Sequence, residues 1–270
     1  MRIAKRTATA VTMIAAVIGG IFFLPAWFFS AAVTGIIGIG LFEFYSLIEK
    51  KGIVIYKYFG VWIGLLIPLS IALHFEPTKG WELFTITAAT LGFFILQFVR
   101  KDSSQAILGI STTLFGIFYV SWFFSYLIKI RFLPAGVFLV GFLLLVTKMG
   151  DIGAYVVGSR FGRHSLIVRI SPRKTVEGAA GGLLFSVAAA AASRLYVPWI
   201  PLTHLIGLGI LLGSIAQVGD LCESLIKRDC GVKDSGVYLP GLGGVLDVID
   251  SVIFNAPIFY FYLLHFQLDR

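Results

Sequence analysis

Apolar residues run along this chain in successive long blocks separated by short polar breaks. Nine such blocks, at about 7–24, 27–48, 58–75, 83–99, 106–127, 134–157, 179–197, 203–226 and 247–266, approach or reach the roughly 20 residues that cross a bilayer as a helix. Breaks fall at Pro25, Glu49-Lys50-Lys51-Gly52, Glu76-Pro77, Arg100-Lys101-Asp102, Lys129 to Pro134, 160–178, Pro198 to Pro201 and 227–246. This pattern predicts an all-α polytopic membrane protein with about nine transmembrane helices. There is no long internal repeat, heptad run or low-complexity tail.

Composition agrees, since 58% of residues are hydrophobic and only 13% charged, where a soluble domain carries about a quarter charged. The basic start, MRIAKRT, could open a signal peptide. The apolar run behind it is too long for one and leads to no soluble domain, so it is read as the first span. Cys222 and Cys230 have no histidine or second cysteine pair nearby and are expected to be structural. The net charge of +8 is spread over short loops and reads as topology signals and phosphate contacts, not as a nucleic-acid surface. Lys and Arg fall 16 on one side of the spans and 5 on the other, with Lys148 inside a span. By the positive-inside rule the N-terminus is expected in the cytoplasm and the C-terminus outside, in an integral cytoplasmic (inner) membrane protein. Residues 1–130 then form N-terminal helices and 131–270 the C-terminal helices that carry the charged loops, in one integrated membrane domain.

The densest polar chemistry lies between Gly219 and Ser251. Asp220, Glu223, Ser224 and Lys227 fall on one helical stripe. The LPGLGG turn follows and leads to Asp247 and Asp250 on a shared face of the next helix. Carboxylates at the same end of two neighbouring helices, with cations between them, suit divalent metal and phosphate in a polar cleft facing the cytoplasm. A solvated loop with ordinary helix-end charges is the alternative. A second charged stretch, 159–178, gathers Ser171, Arg173, Lys174 and Thr175 just before a helix start, which makes an anion site. Contact with anionic headgroups would explain it as well, and His164 reads as a loop residue. Inside the spans, Glu43 is either a structural or a functional carboxylate. Lys148 and Asp151, one turn apart, form an ion pair or line the cleft.

At these two stretches the chain resembles phosphatidate cytidylyltransferase, also called CDP-diacylglycerol synthase. That family's C-terminal signature is matched at Ser224, Lys227, Arg228, Lys233, Asp234, Gly236, Leu239, Pro240, Gly243, Gly244, Asp247 and Asp250. The S-P-R-K-T-x-E-G element at 171–178 and the D-x-x-A-Y-x-x-G element from Asp151 also resemble it. Leu242 stands where the family usually has His, and Val248 where it usually has Arg, so no role of either carries over.

The resemblance implies a transferase that converts CTP and phosphatidic acid to CDP-diacylglycerol and pyrophosphate. The residues suit that chemistry. Asp220 and Asp247 are expected as the main metal ligands, with Glu223 and Asp250 near them, holding one or two Mg²⁺ ions. Lys227, Arg228 and Lys233 are expected on the triphosphate or pyrophosphate. Ser171, Arg173 and Lys174 are assigned to the lipid phosphate or a CTP phosphate, Gly243 and Gly244 to close backbone approach to phosphate, and Asp151, Lys148 and Ser224 to the cleft. CTP and membrane phosphatidic acid are the expected partners, with a homodimer as a further candidate and nucleic acid excluded. The competing classes are a CTP-dependent polyprenol or phytol kinase, a non-catalytic divergent paralogue and a transporter using Glu43, Lys148 and Asp151. A CDP-alcohol phosphotransferase is set aside because its D-G-x2-A-R motif is lacking.

Overall fold

In the computed structural model each apolar block from 27–48 onward is a helix, as hydrocarbon requires of a segment that must satisfy its own backbone. Residues 18–75, 80–236 and 243–268 are described. The 7–24 block lies mostly outside them, as do Glu76, Pro77, Lys79, both chain ends and Leu239, Pro240 and Leu242 of the signature turn.

The helices are α1 (Ala26–Lys50), α2 (Lys57–Ala72), α3 (Trp81–Val99), α4 (Ala106–Gly116), α5 (Phe123–Phe132), α6 (Gly136–Phe161), α7 (Val176–Ala192), α8 (Leu202–Asp229), α9 (Leu246–Ile253) and α10 (Asn255–Phe266). A π-helical segment, Ile117–Trp122, joins α4 and α5 into one rod, and α9 with α10 makes a second composite span. Among the described residues seven helices are long and apolar enough to cross a bilayer, against the nine expected. One reason is α2, whose 16 residues reach only about 24 Å at 1.5 Å per residue. The other is that the first block lies mostly outside the described residues.

The break between α9 and α10 has a covalent cause. Pro257 lacks the N–H that would bond to Ile253, and its ring crowds that carbonyl. Asn255, just past the break, donates from Nδ2 to Thr147 Oγ1 at 2.9 Å and to the Leu212 carbonyl at 3.1 Å. This fastens α10 to α6 and α8. Helices α6 and α7 approach closely where their glycines face each other. A Cβ on Gly153 would sit 2.8 Å from the Gly181 carbonyl, and one on Gly182 2.9 Å from that of Gly150. Small residues let membrane helices meet backbone to backbone, where packing rather than the hydrophobic effect drives association.

The stretch 160–178, read from sequence as a basic loop, contains a two-stranded antiparallel hairpin of β1 (Ser165–Ile167) and β2 (Ser171–Thr175). So the all-α expectation needs one small correction. Thr175 ends the hairpin and caps α7, its hydroxyl accepting the Gly178 N–H at 3.1 Å. Glu177, in the first turn, accepts the amides of Arg163 and His164 and meets the His164 ring at 2.6 Å. A carboxylate there also complements the helix dipole. His164 is thus a loop residue, as expected.

Both charged stretches lie at one end of the bundle. An ion pair between Lys51 and Asp229 joins the C-terminal ends of α1 and α8. Arg228 reaches from α8 to the hairpin, its Nε donating to the Ile170 carbonyl at 3.2 Å.

Candidate active site

Three carboxylates converge from two helices. Asp220 and Glu223 lie one turn apart on α8, Asp250 comes from α9, and one oxygen of each lies within 4.8 Å of the others. Gly219 allows this approach, because a Cβ there would fall 2.7 Å from the Asp250 carbonyl oxygen. Glu223 is fully buried, and neither of its oxygens accepts a hydrogen bond, although the Lys227 ammonium lies against it. A buried carboxylate with so few donors is costly unless a cation completes it.

The lysines are distributed around this cluster. Lys174, from β2, places Nζ 2.6 Å from Asp220 Oδ2. Lys227, one turn beyond Glu223, bridges Glu223 and Asp247. On the other side Lys148 donates to Asp151 at 3.0 Å, to Ser251 Oγ at 2.9 Å and to the Val248 carbonyl at 3.0 Å. Asp151, Asp220, Asp247, Asp250, Lys148, Arg173, Lys174 and Lys227 all line one cavity of about 640 Å³, with Gln217 and Tyr155 among the neutral groups. Asp220 lies nine residues inside the end of α8 and Asp151 ten inside the end of α6. At 1.5 Å per residue that is about 15 Å below the charged end of the bundle.

Several expected residues take other places. Asp247 does not join the three clustered carboxylates. Its Oδ2 accepts the Ser235 amide and hydroxyl, each at 2.8 Å, and the Gly244 amide at 2.7 Å, while Oδ1 takes Lys227. The Gly244 N–H, expected at a phosphate, is therefore engaged by protein. Gly243 has φ +92°, and a Cβ there would lie 2.5 Å from Asp247. Arg228 is held by the Ile170 carbonyl and by the Val232 carbonyl at 2.9 Å, so it staples the hairpin to the end of α8. Arg228, Lys233 and Ser171 do not line the cavity, nor does Ser224, which is buried.

Two residues were not picked out from the sequence, and a third was given another place. Gln217 stands one turn before Asp220 on the same stripe, and the 3.6-residue period could have found it. Its Nε2 donates to the Ala179 carbonyl at 3.0 Å. Tyr119 carries a buried hydroxyl without a hydrogen-bond partner and sits in the π-helical segment, its ring 5.7 Å from that of Phe254. No local signal marks it. Thr175, noted only as one of several hydroxyls, proved to be a helix cap.

Comparison with known proteins adds a second line of observation. The model of the cytidylyltransferase family matches residues 4–266. A phosphatidate cytidylyltransferase of Synechocystis is 36% identical over 286 aligned positions, covering 93% of this chain and 95% of that protein. One from Thermotoga maritima is 36% identical over 213 positions, 76% of each chain. One from Bacillus subtilis is 41% identical over 151 positions, 55% of this chain and 56% of that protein.

Proposed function

This chain belongs to the cytidylyltransferase family, and on that premise we infer that it is the enzyme that joins CTP to phosphatidic acid in a membrane, forming CDP-diacylglycerol and pyrophosphate. The observation that carries the reading is the cavity lined by Asp220, Asp250, Lys174 and Lys227, with an oxygen of the buried Glu223 within 4.8 Å of those of Asp220 and Asp250. An oxygen of the phosphatidate phosphate attacks the α-phosphorus of CTP, the bond from that phosphorus to the bridging oxygen breaks, and pyrophosphate leaves with the electron pair. The nucleophile is already an anion at neutral pH, so no general base is needed. The protein's work is to bring two anions together and meet the charge that develops.

The donor set fits a divalent cation, because Glu223 is a buried carboxylate paired with the Lys227 ammonium alone, and carboxylate oxygens of Asp220 and Asp250 lie within 4.8 Å of it. Asp220, Glu223 and Asp250 would hold the ion, and Mg²⁺ matches an all-oxygen set that also takes substrate phosphate. When bound it would offset phosphate charge at the α-phosphorus and on pyrophosphate. Lys174 and Arg173, on the hairpin over the cavity, are assigned to phosphate oxygens. Lys227 is held between two carboxylates and tunes them. Lys148 and Asp151 form the deep wall. The cavity end of the bundle is assigned to the cytoplasm from the charge asymmetry of the loops, and the N- and C-terminal helices work as one domain.

Purified full-length protein in detergent, given labelled CTP, phosphatidic acid and Mg²⁺, should yield CDP-diacylglycerol identified by mass. A lipid monophosphate as product would instead indicate a lipid kinase. Absence of any CTP consumption would sink both enzymatic readings.

A further inference from the structure

Glu43 sits in the C-terminal third of α1, in the N-terminal half of the chain, and is 2% exposed. Its carboxylate reaches the turn that precedes α9. Oε1 accepts the Val245 N–H at 3.0 Å, and Oε2 accepts the Leu246 N–H at 2.8 Å and lies 3.2 Å from the Ser235 hydroxyl. Its charge is therefore met by backbone and hydroxyl donors at the start of α9, as hydrogen bonding to a carboxylate allows. The turn is shaped around it. A Cβ on Gly236 would fall 2.3 Å from Oε1, and one on Gly244 2.5 Å from Oε2, so neither position has room for a side chain.

From Glu43 a continuous line of polar contacts runs to the clustered carboxylates. The Ser235 hydroxyl also lies 2.8 Å from Asp247 Oδ2, so its one proton is shared between Glu43 and Asp247. Asp247 holds Lys227, and Lys227 lies against Glu223. We propose that Glu43 is a positioning residue for the transfer reaction: it clamps Ser235 to the Val245 and Leu246 amides at the start of α9, so that Asp247 keeps Lys227 against Glu223 and the metal-holding carboxylates stay in register. The catalytic contribution rests on the cytidylyltransferase reading above. The clamp itself does not, and it is measurable without substrate.

The test compares Glu43→Gln and Glu43→Asp in the full-length protein by turnover, by Mn²⁺ affinity in the absence of substrate and by melting temperature. Gln keeps the size but turns an amide NH₂ toward a backbone N–H, donor against donor. Asp keeps both acceptors on a shorter arm. Supporting residues of metal sites change affinity or activity by about 10–100-fold, so Glu43→Gln should lower Mn²⁺ affinity about tenfold and kcat about a hundredfold, with KM for phosphatidate nearly unchanged. Glu43→Asp should recover at least part of both. Wild-type-like behaviour of Gln, or Gln outperforming Asp, would mean that only volume matters and would overturn the proposal. An inert wild type would count against the assigned reaction, and the Mn²⁺ arm would still decide the clamp. If Glu43→Gln does not fold, Ser235→Ala removes one hydroxyl from the same line. A drop in Mn²⁺ affinity of about threefold or more supports the proposal, and an unchanged affinity overturns it.

Discussion

Asp220, Glu223 and Asp250 place three carboxyl groups within 4.8 Å of one another, and in the absence of a cation any two that ionise repel each other. Asp250→Asn should therefore abolish turnover, by more than about a hundredfold as expected for a lost charge-stabilising group, while the metal-free protein melts no lower than wild type. Added Mg²⁺ should raise the wild-type melting temperature and leave the variant nearly unmoved, since only the native site gains binding energy. Differential scanning fluorimetry with and without EDTA checks this. An equal Mg²⁺ shift in both would remove Asp250 from the ion. Asp247→Asn should behave differently. It weakens the hold on Lys227 and on the Ser235 and Gly244 amides, and breaking a buried pair costs about 3–5 kcal/mol. Loss of activity should then come with a clearly lower melting temperature. Activity loss at unchanged stability would restore Asp247 as a direct ligand.

Two elements carry the site and can be loosened separately. The α6–α7 pair depends on contacts too close for any side chain, for a Cβ on Gly153 would meet Phe185 at 2.5 Å as well as the Gly181 carbonyl. Gly153→Val should lower stability by about 1–3 kcal/mol or more, the cost of forcing extra atoms into a packed interior, and reduce the yield of extracted protein. The hairpin depends on Arg228, whose guanidinium bonds two backbone carbonyls. Arg228→Ala should speed trypsin cleavage within 169–174 and lower kcat/KM about tenfold, because Lys174 and Arg173 lose their fixed support. An unchanged cleavage rate with raised KM for CTP would instead point to direct phosphate contact by Arg228.

On the scale of the whole molecule, the ion pair of Lys51 with Asp229 and the bond from Arg228 to Ile170 place the charged loops at one end. With a cytoplasmic N-terminus, a cysteine at position 233 should resist an impermeant maleimide in intact cells and one at position 270 should react, in a background with Cys222 and Cys230 replaced. Equal labelling would refute the proposed orientation. Position 233 suits the test because Lys233 is exposed and away from the cavity, whereas Gly236 has no room for a side chain beside Glu43.

The helices from 27–48 onward, the stripe of Asp220, Glu223 and Lys227, and the grouping of charged loops were all legible in the amino-acid order. They follow from local rules: apolar length, a 3.6-residue period and the siding of lysine and arginine. Local rules stop where one residue must choose between partners. Asp247 and Asp250 share a face by spacing, yet only Asp250 meets Asp220 and Glu223, because Asp247 lies in the first turn of α9, where unpaired amides and Ser235 claim it. Lys227 and Arg228 are neighbours in the chain and point about 100° apart on a helix, so the rotation of α8 against its neighbours decided which one enters the site. The hairpin arises from pairing between strands, and the bond between Glu43 and Val245 spans 202 residues. No short-range pattern carries such a contact. It exists only once α1 and the turn before α9 are packed together, and that packing gives a buried carboxylate in the N-terminal half its partners in the C-terminal half.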